Sequence, residues 1–467
     1  MANQKLRGKD LSKIGFTTPK TKSMAMDVVE KHYKHFSKNE KLSLLEDVLL
    51  NAEKYIDHDF FDKLAAEFYV VVKADSKEAV AVKRESGAYN VFGREHIASN
   101  AIQQMDQVMR LPIAVKGALM PDAHQGYGLP IGGVLASETG VIPYGVGVDI
   151  GCRMCLSIYD IRPSYLDRYN FQLTRGLIDQ TRFGTGEGFD NPVDDDLFDR
   201  AEFREIPLLK NLLNKARFQI GSSGSGNHFV EFGAVALLPD NAMGLPAGEY
   251  VGLLSHSGSR GLGAAIANHY TKLATEKCLL PREVRHLAWL DINSAEGTEY
   301  WLAMNLAGDY AKACHNHIHR RLGKVLGEKA LFTVENHHNF AWKEIVNGRE
   351  MIVHRKGATP AHSGELAVIP GTMIHPGYIV SGKGEEASLN SASHGAGREM
   401  SRSRARESVT RSELNKILQK AGVTLVGGGL DEAPIAYKNI DEVMKSQRHL
   451  INIEGTIRPK IVRMDKN

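Results

Sequence analysis

Asp149 and Cys152 stand three residues apart in "GVDIGCRMC" (147–155), beside Gly147 and Gly151 and without the spacing of an amphipathic helix. A carboxylate and a thiol this close suit either a buried turn or a metal site. Four further runs place histidine among glycine, serine or asparagine: "GSSGSGNHFVEF" (221–232), "LSHSGSRGLG" (254–263), "ENHHNFAW" (335–342) and "NSASHGAGREMSR" (390–402). Helices and core strands do not ask for such surroundings. With Asp149 and Cys152 they form the inventory of a two-metal centre, namely a carboxylate, a thiolate able to bridge and several imidazoles delivered from loops.

"CHNHIHRR" (314–321) is denser in histidine than any of these, but its neighbours read as helix. His315 and His319 then share a face, His317 points elsewhere, no carboxylate adjoins them and two arginines follow. The expectation is a solvated helix that binds no catalytic metal. Phosphate chemistry has its own candidates. Arg260 opens a helix after a glycine-rich turn, where backbone N–H groups point outward. Lys356 adjoins Gly357, and Arg398, Arg402, Arg404, Arg406 and Arg411 follow His394, as either an ion-paired face or a polyanion site. There is no GxxxxGK[ST] run, so a bound nucleotide would need another architecture.

These residues need a scaffold, and 467 residues at 42% hydrophobic and 24% charged are enough for a large globular core. A net charge of +3 excludes a global polycation, so any nucleic-acid surface must be local. No apolar run approaches the ~18 residues of a membrane span, and the charged start "MANQKLRGKDLSKIG" lacks the apolar core of a signal peptide. Cys152, Cys155, Cys278 and Cys314 make no disulfide framework, so a reduced, cytoplasmic setting is expected. Residues 24–65 read as helical, with Leu45, Val48, Leu49 and Ala52 at i, i+3, i+4 and i+7. "AVAVK" (79–83) reads as a strand, and from about 96 short apolar runs cut by glycine read as strands and loops. Segments 261–278, 301–326 and 412–422 return to helix, the last stopping at Gly422. Strands and helices do not alternate regularly, which predicts a mixed α+β fold and not a doubly wound sheet.

Several long motifs in order now resemble those of the RtcB RNA ligases: "ALMPDAHQGYGLPIGGVLA", "GVIPYGVGVDIGC", "GSGNHF", "SHSGSRGLG", "HHN", "RKGAT" and "SHGAGR". The resemblance covers about 90–460 and implies one large catalytic domain, 91–467; the N-terminal helical segment, 1–90, is unlike the family pattern and is expected to pack on the core or serve a special substrate. It implies two Mn²⁺ ions on Asp149, Cys152, His228, His256 and His338, with Cys152 touching both, His228 completing the first site, and His256 and His338 the second. Softness of the donors alone would suggest zinc. The guanylylated nucleophile maps to His394, and GTP contacts map to Asn227, Glu231, Asn339, Pro370, Gly371, Thr372, Met373, Gly395, Ala396 and Gly397. Asp122 maps to an RNA 5′-end contact, and Arg260, Lys356, Arg398 and Arg402 to phosphate contacts. The implied partners are GTP, RNA bearing 3′-phosphate and 5′-hydroxyl ends, and an archease-type activator; no membrane is implied, and the implied state is a monomer.

Two departures touch base recognition. "IHPGY" after "PGTM" puts Gly377 where the family has a serine, and Lys466 lies two residues beyond the position of the family's terminal lysine, so it stands as a candidate contact only. With the unusual N-terminal segment they mark a divergent paralogue, suited to RNA repair as well as to tRNA splicing. Two other functions compete: a dinuclear phosphoesterase that needs neither nucleotide nor His394, and a non-catalytic RNA-end binder built on residues 398–411.

Overall fold

In the computed structural model the short apolar runs over 114–159 and 229–257, cut by turns, form strands. Ser99–Met109, Asn170–Gln180 and Pro207–Gln219, within the stretch expected as strands and loops, are amphipathic and form helices. The structure describes residues 6–75, 79–191 and 193–466; the first five residues of the N-terminal run lie outside the described residues. Two compact units divide the chain, Met1–Ala79 and Val80–Asn467. No helix among the described residues is long and apolar enough to cross a membrane.

The smaller unit is helical, with Gly8–Lys13, Pro19–His32, Lys38–Leu50 and Asp62–Asp75. Thr18 caps the second helix ahead of Pro19, and a Ser37–Glu40 capping box opens the third. Leu11, Phe16, Val29, Leu45, Val48 and Phe61 form its buried core.

Residues 80–90, placed with the N-terminal segment from sequence, run along the larger unit: Val80 N–H donates to Leu279 O at 2.8 Å and Tyr89 OH to Asp106 Oδ1 at 2.8 Å. The strand expected over "AVAVK" is absent, because Val80 and Lys83 bond to separate loops (Leu279 O and Arg110 O) and no ladder continues.

The larger unit is α+β. Its main sheet runs in the order Leu366–Ile369, Gly377–Gly382, Ile451–Met464, Phe229–Leu237, Gly248–Ser257, Arg153–Tyr159, Phe332–His337, all antiparallel, with Thr424–Val426 added parallel to Ile451–Met464. Arg153–Tyr159 is buried along its whole length, as a central strand covered on both faces must be. A second sheet orders Asn90–Val91, Ala114–His124, Ile131–Ser137, Arg349–Lys356 and Asn339–Val346. Ala358–Pro360 pairs with Ser391–Ser393, which delivers the chain to His394.

The predicted helices form as Arg260–Lys277, Ala295–Leu326 and Arg411–Ala421, the last closed by Gly422 at φ +66°. One expectation fails. Helix Ala295–Leu326 is covered on more than one side, and His315, His317 and His319 are all buried in it. His317 Nε2 meets Asp195 Oδ2 at 2.8 Å, so a carboxylate absent from the local sequence arrives from a distant loop.

Candidate active site

Four adjacent strands of the main sheet end on one edge, and each end carries a metal-capable donor. Cys152 precedes Arg153–Tyr159, His228 precedes Phe229–Leu237, His256 lies near the end of Gly248–Ser257, and His338 follows Phe332–His337. The register makes this convergence obligatory: His256 is opposite both Met154 and Phe229, and Arg153 is opposite His337. Asp149 joins from the turn before Cys152. That turn needs Gly151, whose φ is +67° and whose missing Cβ would sit 2.8 Å from Gly308 Cα on the long helix.

The donors crowd together. Cys152 Sγ lies 3.3 Å from His228 Nε2 and 3.2 Å from His256 Nε2; His256 Nε2 lies 3.2 Å from His338 Nε2, and His228 Nε2 lies 3.0 Å from Asp149 Oδ2. Such spacings suit atoms that share a cation at ~2.0–2.3 Å from each. Backbone contacts fix the tautomer of one of them. His256 Nδ1 is 3.1 Å from the carbonyl of Asn227, so it carries the hydrogen and Nε2 keeps its lone pair. The single lone pair of His256 Nε2 then faces two neighbours, Cys152 Sγ and His338 Nε2, each 3.2 Å away, an arrangement that a cation relieves. The residues therefore fit the metal centre that the motifs imply.

Burial is the largest influence on these groups. It lowers His256 to about 3 and, with the neighbouring His394 and His256, holds His338 well below its usual value, so both are neutral donors. Burial also pushes Cys152 up, reinforced by Asp149. For Asp149 burial acts upward, but hydrogen bonding and charge from His228, with Cys152 and His256, prevail and hold it near 2. Asp149 Oδ1 also accepts from Ser259 N–H at 3.2 Å.

The donors open into a cavity of about 730 Å³, large enough for a nucleotide. Its walls include Asn227, Glu231, Asn339, Pro370, Gly371, Thr372, Met373, Gly395, Ala396 and Gly397, and also His394, Lys356, Arg398 and Arg402. Asn339 ties the two sheets at this point: its Nδ2 donates to Asp149 O at 3.3 Å, and its Oδ1 accepts from Gly357 N–H at 2.8 Å. Glu231 is buried on its strand without an ion-pair partner among the described residues, and burial pushes its carboxyl up to about 8. Burial lowers Lys356 to about 7; its Nζ donates to the carbonyls of Tyr127 and Tyr144.

His394 is held from behind. Asp122 Oδ2 accepts from its Nδ1 at 2.7 Å and from its backbone N–H at 3.2 Å, which leaves Nε2 with the free lone pair. The His394 ring centroid lies 4.9 Å from that of His338, a member of the donor cluster. Asp122, which the resemblance maps to an RNA 5′-end contact, is fully buried beneath His394 and does not line the cavity. Burial pushes the Asp122 carboxyl up, but the His394 hydrogen bond more than offsets this and lowers it.

Two other assignments move as well. Arg260 turns inward, donating from Nε to Ser222 Oγ at 3.0 Å and from Nη2 to Gly184 O, so it is committed to packing and is off the cavity wall. Lys466 is exposed and is likewise not part of the wall. Arg398 and Arg402 do line it, but both pair with buried acids. Arg398 Nη1 lies 3.4 Å from Glu432 Oε2, Arg402 Nη1 lies 2.7 Å from Asp431 Oδ2, and Arg406 Nε lies 3.4 Å from Asp431 Oδ1. The arginine-rich run is thus largely an ion-paired face, with Arg402 its most open member on the cavity.

His124 was missed, although it stands inside "MPDAHQG". It lines the cavity, its Nδ1 donates to Asp122 O at 3.0 Å, and Nε2 is therefore an acceptor. His375, in the segment that departs from the family pattern, also lines the cavity and lies 2.8 Å from Thr372 Oγ1.

Comparison with known proteins places these features in context. A family model described as tRNA-splicing ligase RtcB matches residues 104–206 and 202–465. The chain is 30% identical to the RNA-splicing ligase RtcB of Escherichia coli K12 over 399 residues, covering 78% of this chain and 93% of that protein. It is 30% identical over 451 residues to the tRNA-splicing ligase RtcB of Nanoarchaeum equitans, with 78% and 93% covered. Against the RNA-splicing ligase RtcB of Mycobacterium tuberculosis identity is 31% over 415 residues, with 73% and 95% covered.

Proposed function

The chain belongs to the RtcB family of RNA ligases, and on that premise we propose that it joins an RNA 3′-phosphate or 2′,3′-cyclic phosphate end to a 5′-hydroxyl end, using GMP carried on His394. The observation that carries this reading is the Asp122–His394 pair. A fully buried carboxylate holds the Nδ1 hydrogen, so that in the neutral ring the Nε2 lone pair is free beside the donor cluster. That is the state a histidine nucleophile requires.

In this reading Nε2 attacks the α-phosphorus of GTP, an N–P bond forms and pyrophosphate departs. The positive charge that develops on the imidazole is offset by Asp122. The RNA 3′-phosphate, first freed from its cyclic form at the same site where necessary, then attacks the phosphorus. The N–P bond breaks, His394 returns to neutral and RNA-ppG results. Finally the 5′-hydroxyl oxygen attacks the 3′-phosphorus, its proton passes to Nε2 of His124, and GMP leaves.

Asp149, Cys152 and His228 would hold one Mn²⁺, and Cys152, His256 and His338 a second; bound there, the ions supply Lewis acidity to phosphate oxygens. Lys356 and Arg402 hold phosphate. Glu231 and the 370–373 loop hold the nucleoside, Glu231 accepting from guanine N–H donors.

The test is sealing of an RNA with a 3′-phosphate to one with a 5′-hydroxyl, with and without GTP and Mn²⁺. Sealing that needs both supports the proposal. Release of inorganic phosphate without GTP would favour the phosphoesterase. A single round of sealing per chain would point to an archease-type activator.

A further inference from the structure

Strand alternation gives the metal-bearing strands a second face. Cys155 and Ser255 are register partners there, on the side away from His256, and the helix Ala295–Leu326 brings His315 and His319, four residues apart, onto the same spot. All four side chains are buried. One donor atom each from Cys155, His315 and His319 lie within 4.8 Å of one another.

The hydrogen bonds around them are oriented like those around a metal ligand. His315 Nε2 lies 3.1 Å from the carbonyl of Ser257, so it carries the hydrogen and Nδ1 keeps its lone pair, 2.6 Å from Ser255 Oγ. His319 Nδ1 lies 2.8 Å from Ser157 Oγ, and its Nε2 lies 2.8 Å from the same Ser255 Oγ. Each imidazole thus ties its outer nitrogen to a fixed oxygen and turns the other inward on one point. The same outer tie orients His256 in the catalytic cluster, through Asn227 O.

We propose that Cys155, His315 and His319, with the Ser255 hydroxyl beside them, bind one divalent cation of borderline softness, zinc by donor type, apart from the catalytic pair. A buried set of one sulfur and two nitrogens suits zinc in a closed structural site and disfavours the oxygen-seeking Mn²⁺ and Mg²⁺. The protons balance. The Cys155 thiol releases one proton as the sulfur–metal bond forms. His319 moves its hydrogen from Nε2 to Nδ1 and donates to Ser157 Oγ, whose own hydrogen turns to Thr333 Oγ1, 3.1 Å away. The ion would clamp the long helix to the strands whose ends carry Cys152 and His256, fixing the catalytic donors from behind. This inference stands whether or not the ligase reading holds.

Cobalt distinguishes the two centres, because thiolate-bound cobalt absorbs strongly in the near ultraviolet. In the full-length Cys152→Ser chain, which lacks the catalytic thiol, one cobalt equivalent should give that band, and zinc should displace it and raise the melting temperature. Adding Cys155→Ser, or His319→Gln should the double-serine variant fail to fold, should abolish the band and the zinc-induced shift. A Cys152→Ser chain that takes up cobalt with no thiolate band, or a band that survives Cys155→Ser, would overturn the proposal.

Discussion

Replacing Glu231 by glutamine should stabilise the chain at neutral pH and weaken its hold on GTP at alkaline pH. The carboxyl is 4% exposed, and burial pushes it from an ordinary 4.5 up to about 8. An acid whose folded value lies above its unfolded value imposes no penalty below pH ~4.5. The penalty grows as pH rises towards ~8, because the unfolded chain releases a proton that the folded chain keeps. At pH 7 the gap spans ~2.5 units, which at ~1.36 kcal/mol per unit is about 3 kcal/mol. Glutamine keeps the shape and removes the titration. Denaturant midpoints of both chains, stripped of metal and measured from pH 4.5 to 8, should coincide at the acid end and diverge to about 3 kcal/mol at pH 7. Above pH ~8, where the parent carboxyl ionises, GTP affinity should be about 10- to 100-fold weaker in the variant, the worth of a charge-assisted hydrogen bond. A constant stability difference across that pH range would refute the reasoning, since the carboxyl would then not titrate where burial places it.

Asp122→Asn should leave metal content intact and slow formation of the guanylyl-protein about 10²–10³-fold, because the amide no longer dictates the His394 tautomer; stopped-time labelling with GTP measures it. His124→Ala should label normally but slow sealing about 10²-fold, with RNA-ppG accumulating on a gel; an unchanged sealing rate would remove His124 from the last step. Gly258→Ala would place a Cβ 2.0 Å from Asp149 Oδ1, so the carboxylate must move, and metal analysis should show loss from the site it shares with His228.

The clustering of Asp149, Cys152, His228, His256 and His338, candidates for a metal, is legible because each sits in a run whose glycines and asparagines serve no helix or core strand, and the ends of a sheet then gather them. The nucleophile role proposed for His394 rests on resemblance alone at the level of sequence; no local pattern separates its turn from other Gly-Ala-Gly turns. The pairing of Asp122 with His394 is not legible in the sequence, because the two lie 272 residues apart and the burial of the carboxylate under the imidazole is tertiary. The same limit explains the arginines. Asp431 and Glu432, which neutralise Arg398 and Arg402, announce nothing in "LDEAP". A solvated helix is the reading of 315–319 from its own charges, yet the sheet supplies serines as partners to His315 and His319, and a distant loop supplies Asp195 to His317. "AVAVK" had the composition of a strand but no neighbouring strand with which to pair.

The central claim is that His394 carries the nucleotide, and one measurement reaches it directly. The purified chain is incubated with α-labelled GTP and Mn²⁺, denatured and examined for label that stays with the protein, is lost in acid and is absent in His394→Ala. The account predicts that pattern, with the metal content of the variant unchanged. A chain with metal bound that takes no label from GTP or ATP, or a His394→Ala chain that labels as well as its parent, would contradict it.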